Sequence, residues 1–269
     1  MIGNLNAFRL FEISLNSFLV SVFCVAGIFF VAIGAHAAPS MDDTEHCPAG
    51  TLYLTIDTGS MTAAEQIADV LHTEKIPATF FVANEDTAYG DRVLDVRWVP
   101  FWRRLAEEGH AFGNHTWSHA TVREDLPDGR LRTSRPDRST LVMDQAQFCQ
   151  EMKQVDSRFA EITGQHLSPI WRAPGGKTSS RSLEWAKQCG FPQHVGWSEA
   201  GFLGDELSSQ TYPNRVLLER ALKRLRAGDI LMMHLGIRSR QDPFVRVFQP
   251  LIQGLKAKGF CFAKIASSP

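Results

Sequence analysis

The segment Leu52-Tyr53-Leu54-Thr55-Ile56-Asp57-Thr58-Gly59-Ser60 decides how this chain folds. Its first five residues are apolar or β-branched, a composition that suits a buried strand. Asp57 ends the run, and Gly59-Ser60 turns it into a loop. A carboxylate at a strand end can act as a general base, bind a metal or merely cap the loop. The choice depends on what the rest of the chain brings to the same place.

Six more apolar runs follow, at Ala78–Val82, Ala111–Asn114, Ile170–Arg172, Gln193–Trp197, Ile230–His234 and Phe260–Ile265. Helical patterns lie between them, near Thr62–Glu74, Val99–Glu108, Leu141–Thr163, Ser179–Cys189, Asn214–Arg226 and Pro243–Lys258. Thr62 followed by Glu65 predicts a capping box. Glycines 109, 164, 190, 228 and 259 fall just past predicted helices, where a left-handed residue is wanted. Seven strands alternating with six helices predict a parallel α/β sheet closed into a barrel. In such folds chemistry gathers at the C-terminal strand ends. The segment Ala120–Ser139 breaks the alternation and reads as a long polar loop, a solvated surface loop, a lid or a ligand-contacting loop.

The formal net charge of −1 and 21% charged residues argue against a nucleic-acid partner. Phe18 to Ala35 is almost wholly apolar and is followed by a small-x-small site, Ala35-His36-Ala37. Residues 1–37 therefore read as a signal peptide, or as an uncleaved anchor holding the protein at the inner membrane. A linker is expected over 38–50 and the exported domain over 51–269, in the periplasm or cell envelope. Cys47, Cys149, Cys189 and Cys261 remain after the leader, as disulfides or as buried thiols.

Four polar constellations end the predicted strands. Asp57 ends the first, and His115-Thr116-Trp117-Ser118-His119 follows the third. Two imidazoles at i and i+4 converge on one ion if the segment is helical or tightly turned. Arg172-Ala173-Pro174-Gly175-Gly176 follows the fourth, and Met232-Met233-His234 ends the sixth. Taken singly, each has an ordinary structural explanation.

Together they resemble the NodB-type polysaccharide deacetylases, carbohydrate esterase family 4. Thr55-Ile56-Asp57-Thr58-Gly59 is similar to that family's first motif, His115 to His119 to its second, Arg172 to Gly176 to its third and Met232 to His234 to its fifth. The resemblance implies a distorted (β/α)7 barrel, the NodB homology domain. It implies a hydrolase removing an N-acyl group, commonly acetyl, from an amino-sugar glycan such as peptidoglycan or an exopolysaccharide. Asp57 would be the general base, Arg172 its orienting partner and His234 the general acid. His115 and His119 would hold a divalent cation, commonly zinc, with Thr58 at the third ligand position. Pro174, Trp197 and Met232 would contact substrate.

Two departures stand out. The family has a metal-binding aspartate where this chain has Thr58, and a neutral hydroxyl is a far poorer ligand. The aspartate pair of the fourth motif is also missing, leaving Glu199 or Asp205 as stand-ins. These departures keep a second expectation open, a glycan-binding protein without turnover. A third comes from Asp57-Thr58-Gly59 alone, which looks like an aspartic protease loop. That chemistry needs two carboxylates, and one such triplet occurs here.

Overall fold

The computed structural model describes residues 47–265. The leader or anchor read at 1–37 lies outside these residues, as does most of the 38–50 linker. Among the described residues no helix is long and apolar enough to cross a membrane.

The chain runs β1 (Gly50–Asp57), α1 (Ala64–Glu74), β2 (Thr79–Val82), α2 (Val99–Glu107), β3 (Ala111–Asn114), β4 (Thr121–Asp125), β5 (Leu131–Ser134) and β6 (Thr140–Met143). It continues through α3 (Gln145–Thr163), β7 (Ile170–Trp171), α4 (Ser180–Gln188), β8 (Gln193–His194), α5 (Asn214–Arg224), β9 (Ile230–His234), α6 (Phe248–Ala257) and β10 (Phe260–Ala263). Seven parallel strands form one sheet in the order β10-β1-β2-β3-β7-β8, with β9 also paired to β1. This is the predicted α/β architecture, a curled parallel sheet forming a distorted (β/α)7 barrel. It is incompatible with an all-β aspartic protease.

β1 is the hub of the sheet. It pairs with β10 along Gly50–Tyr53, with β9 along Tyr53–Asp57 and with β2 along Thr55–Asp57. Period-2 alternation sends Leu52, Leu54 and Ile56 into the main core, where all three are fully buried. A smaller apolar cluster is formed by Phe81, Ile170 and Val195, with Ile230 against it. The barrel is irregular between β8 and β9. There the chain from Ser198 to Leu203 runs beside β9, with Ser198 N–H donating to Ile230 O and Met232 N–H to Gly201 O. Only glycine fits at 201, because a Cβ would stand 1.9 Å from Ile230 O.

Three expectations fail. The segment read as a polar loop is an antiparallel sheet, β4-β5-β6. Val122, Leu131 and Met143 are buried beneath it, while Arg132 pairs with Glu124 on the exposed side. Leu141–Met143 consequently belongs to β6, and α3 starts later behind an Asp144–Gln147 capping box. The Thr62–Glu65 box does not form. The helix is capped at Ala63 without a side-chain bond, and Thr62 Oγ1 sits 3.0 Å from Ser60 Oγ.

The four described cysteines are paired, Cys47 with Cys261 and Cys149 with Cys189. The first joins the residues before β1 to β10, so residues 47–50 are fastened to the domain rather than forming a free linker. The second ties α3 to the end of α4.

Candidate functional site

β1 and β9 lie side by side with Asp57 and His234 in register. Parallel partners in register project to the same face, so the carboxylate and the imidazole share one end of the barrel. The loops beyond them pack together, with Ser60 N–H donating to Gly236 O at 2.9 Å. Gly59 permits this, since it has φ 149° and a Cβ there would meet Gly236 O at 2.6 Å.

Asp57 is buried and meets two partners. Arg172 Nη1 donates to its Oδ1 at 2.7 Å, and His115 Nε2 lies 3.7 Å from its Oδ2. The guanidinium is fixed by further bonds, from Nε to Val195 O at 3.0 Å and from Nη2 to Gly196 O at 2.8 Å. Its carbon stands 4.2 Å from the centre of the Phe81 ring. Burial pushes the Asp57 carboxyl up, but the Arg172 charge, with His115 and His234, outweighs this and holds it below the usual carboxylate range. His115 carries little of that charge. Burial, its largest influence, pulls the imidazole down to about 3 despite Asp57 nearby. The side chain is therefore neutral at pH 7, and Arg172 is the charge that matters for Asp57.

The His115–His119 segment is tightly turned rather than helical. Thr116 and His119 have φ of 61° and 52°. The turn is held by Ala120 N–H donating to Thr116 Oγ1 at 2.9 Å and by Ser118 N–H donating to Glu151 Oε2 at 2.7 Å. It brings the two imidazole rings to 4.9 Å between centres. His115 Nδ1 lies 2.8 Å from Arg172 O. A carbonyl only accepts, so Nδ1 carries the proton and Nε2 keeps its lone pair facing Asp57. That arrangement is how proteins orient imidazole metal ligands.

Thr58 is buried beside them. Its hydroxyl donates to Glu85 Oε1 at 2.8 Å and accepts from Ala83 N–H at 3.2 Å. The two imidazoles thus fit a divalent cation, whereas the side chain at 58 does not. Among the described residues no three imidazole, carboxylate or thiolate groups already stand together around one ion position.

His234 is anchored from the opposite side by Asp205. Asp205 Oδ2 accepts from His234 N–H at 2.8 Å, and His234 Nδ1 lies 3.2 Å from both carboxylate oxygens. His234 Nε2 lies 3.8 Å from Glu206 Oε2. Burial would lower this imidazole, but Asp205, joined by Asp57 and Glu206, raises it to about 9. Of the two stand-ins named from sequence, Asp205 is the one at the site. Glu199 is exposed and lies 3.6 Å from Arg224.

A groove of about 1280 Å³ opens over this end of the barrel. His119 and His234 line it, with Trp117, Glu85 and Glu206. The turn Arg135-Pro136-Asp137 between β5 and β6 also lines it, so the small sheet reaches the groove. Pro174 is buried in a single turn at Pro174–Gly176, and Met232 is buried in β9. Trp197 is half-buried beside Gly176, with its ring centre 5.5 Å from the Arg172 guanidinium carbon. None of these three belongs to the groove lining. Glu85, Glu151 and Glu206 were missed from sequence. Glu85 carried a usable signal, since it lies three residues past the end of β2, where strand-end chemistry is expected.

The family model for polysaccharide deacetylase matches residues 45–194. The peptidoglycan-N-acetylmuramic acid deacetylase PdaA of Bacillus subtilis is 26% identical over 216 residues, covering 80% of this chain and 70% of that protein. Its solved structure superposes with a TM-score of 0.56 at 22% identity, covering 81% of this chain and 80% of that one. The Bc1960 peptidoglycan N-acetylglucosamine deacetylase superposes with a TM-score of 0.60 at 22% identity, covering 80% and 86%. Wild-type BA3943 from Bacillus anthracis, described as a family 4 carbohydrate esterase pseudoenzyme, superposes at 0.56 with 16% identity, covering 82% and 65%.

Proposed function

The chain belongs to the polysaccharide deacetylase family, and we propose that it is an exported hydrolase removing an N-acyl group, commonly acetyl, from an amino-sugar glycan. Peptidoglycan is the favoured substrate class, since PdaA and Bc1960 are peptidoglycan deacetylases. The observation that carries the reading is the in-register pair Asp57 and His234, each held by its own buried charged partner. The family match stops at residue 194, so Asp205 and His234 enter the proposal on geometry.

Asp57 remains ionised at neutral pH and takes a proton from the attacking water. Arg172 keeps its carboxylate from turning away. His234, protonated below about pH 9, gives its proton to the amide nitrogen as the C–N bond breaks. Water adds OH to the acyl carbon, and the sugar leaves as the free amine. His115 and His119 are the residues that would hold a divalent cation such as zinc. Bound there, it would polarise the acyl carbonyl and acidify the water. The groove is roomy enough for several sugar units, with Trp117 along its wall.

Export is supported by the two disulfides, which persist in oxidising compartments. An N-terminal leader or anchor in residues 1–37 supplies the route. A second reading, glycan binding without turnover, is favoured by one observation, the neutral Thr58 at a ligand position. Acetate release from N-acetylated glycans separates the two. The first requires release that a chelator abolishes and that His234→Ala removes, and chelator-insensitive release would count against it.

A further inference from the structure

We infer that Glu85 is the carboxylate this chain supplies to the cation in place of the one absent at position 58. The inference rests on the metal-dependent reading above and concerns only the ligand set.

Thr58 is committed elsewhere. Its single proton goes to Glu85 and one lone pair accepts from the Ala83 amide, and the oxygen that remains is neutral and a poor ligand for a divalent cation. The first of these bonds also places a carboxylate 2.8 Å from the Thr58 hydroxyl. Glu85 arrives from the loop after β2, the strand next to β1, with Asp57 and Phe81 in register. The missing charge on one strand end therefore has a counterpart on its neighbour.

Glu85 and Glu151 are the half-buried acids of the groove without a lysine, arginine or histidine partner among the described residues, and Glu85 has the fewer hydrogen-bond donors. Asp86 lies 3.4 Å from Arg92 and Asp91 lies 3.8 Å from Arg97. Glu151 accepts from both the amide and the hydroxyl of Ser118. Glu85 is half-buried, yet among the described residues no lysine, arginine or histidine pairs with it. A partly desolvated carboxylate held only by a neutral hydroxyl is an electrostatic opening for a cation. It lines the same groove as His119. To act as a ligand, Glu85 must turn away from Thr58 toward His119, which lines the same groove. Two imidazoles with one carboxylate are a donor set that zinc and related divalent ions accept.

The test is calorimetric titration of zinc into the purified protein, with cobalt absorption as a report on ligand geometry. Wild type, Glu85→Gln, Thr58→Asp and the double variant are compared, with circular dichroism confirming the fold. Glu85→Gln keeps the shape and the acceptor oxygen for Thr58 but loses the charge. It should weaken zinc by about tenfold or more and alter the cobalt spectrum, with Thr58→Asp restoring both in the double variant. Equal zinc affinity in wild type and Glu85→Gln overturns the inference and leaves the functional reading standing. A wild type that retains no zinc while Thr58→Asp binds it tightly overturns both.

Discussion

The two halves of the site are partnered to different extents. On the proton-transfer side, Asp57 has Arg172 at 2.7 Å and His234 has Asp205 at 3.2 Å. Every charge there is matched by a buried opposite charge. On the cation side, His115 and His119 are in place, but the neighbouring position holds a hydroxyl bonded to Glu85. Buried ion pairs are costly to disturb, because removing one partner strands the other. The cation side has more latitude, since Glu85, bonded to the buried Thr58, lines the groove and carries a carboxylate. This difference is why we propose that the site keeps its chemistry although one family residue is absent.

The largest expected effect comes from breaking the proton-transfer side. Asp57→Asn should lower the turnover rate by about 10²- to 10⁴-fold, as loss of a general base does. It should also destabilise the fold by about 3–5 kcal/mol, because Arg172 stays buried without its carboxylate. Unaltered steady-state kinetics and an unshifted urea midpoint would remove Asp57 from its central place.

The next effect sharpens the comparison through pH. The acid must be protonated, so activity should hold below about pH 9 and decline above it. In Asp205→Asn the burial of His234 is no longer opposed by its main charged partner, and the declining limb should move to lower pH. The same imidazole is raised on folding, so its stability contribution is complete below about 6.5, its unfolded value. That contribution disappears as pH rises through about 9. A pH–rate profile identical in both proteins would show that Asp205 does not govern the acid.

A third variant probes the cation side alone. His119→Ala should weaken zinc binding by at least about tenfold while leaving the Asp57–Arg172 pair intact. Zinc titration and thermal melting report the two separately, and a large loss of stability without loss of zinc would reverse the assignment. The smallest effect on activity is expected far from both halves. Replacing Cys149 and Cys189 together with serine should cost roughly 2–4 kcal/mol of stability and change turnover by less than about twofold. Denaturant unfolding beside an activity assay checks both.

Much of this arrangement was legible in the sequence. The runs ending in Asp57 and His234 are apolar, uninterrupted and bounded by glycines, so each strand and its terminal side chain could be placed. Arg172 and the two histidines follow from motifs with fixed spacing. The β4-β5-β6 sheet was obscured because its strands are short and its outer face is charged, with Arg123, Arg130 and Arg132 masking buried Val122 and Leu131. Thr62 resembled a helix cap, but the packing of the β1 loop on Gly236 draws it toward Ser60. Cysteine pairing depends on three-dimensional proximity, which spacing did not reveal. The Thr58–Glu85 bond spans 27 residues, a relation that no local pattern contains.

The most direct test of the central claim, that this site still works with threonine at position 58, is acetate release from N-acetylated glycan by zinc-loaded wild-type protein. Thr58→Asp is run beside it. The structure predicts release by wild type that a chelator abolishes and zinc restores. No release by wild type, together with release by Thr58→Asp, would contradict it and identify the chain as a glycan-binding relative that has lost its chemistry.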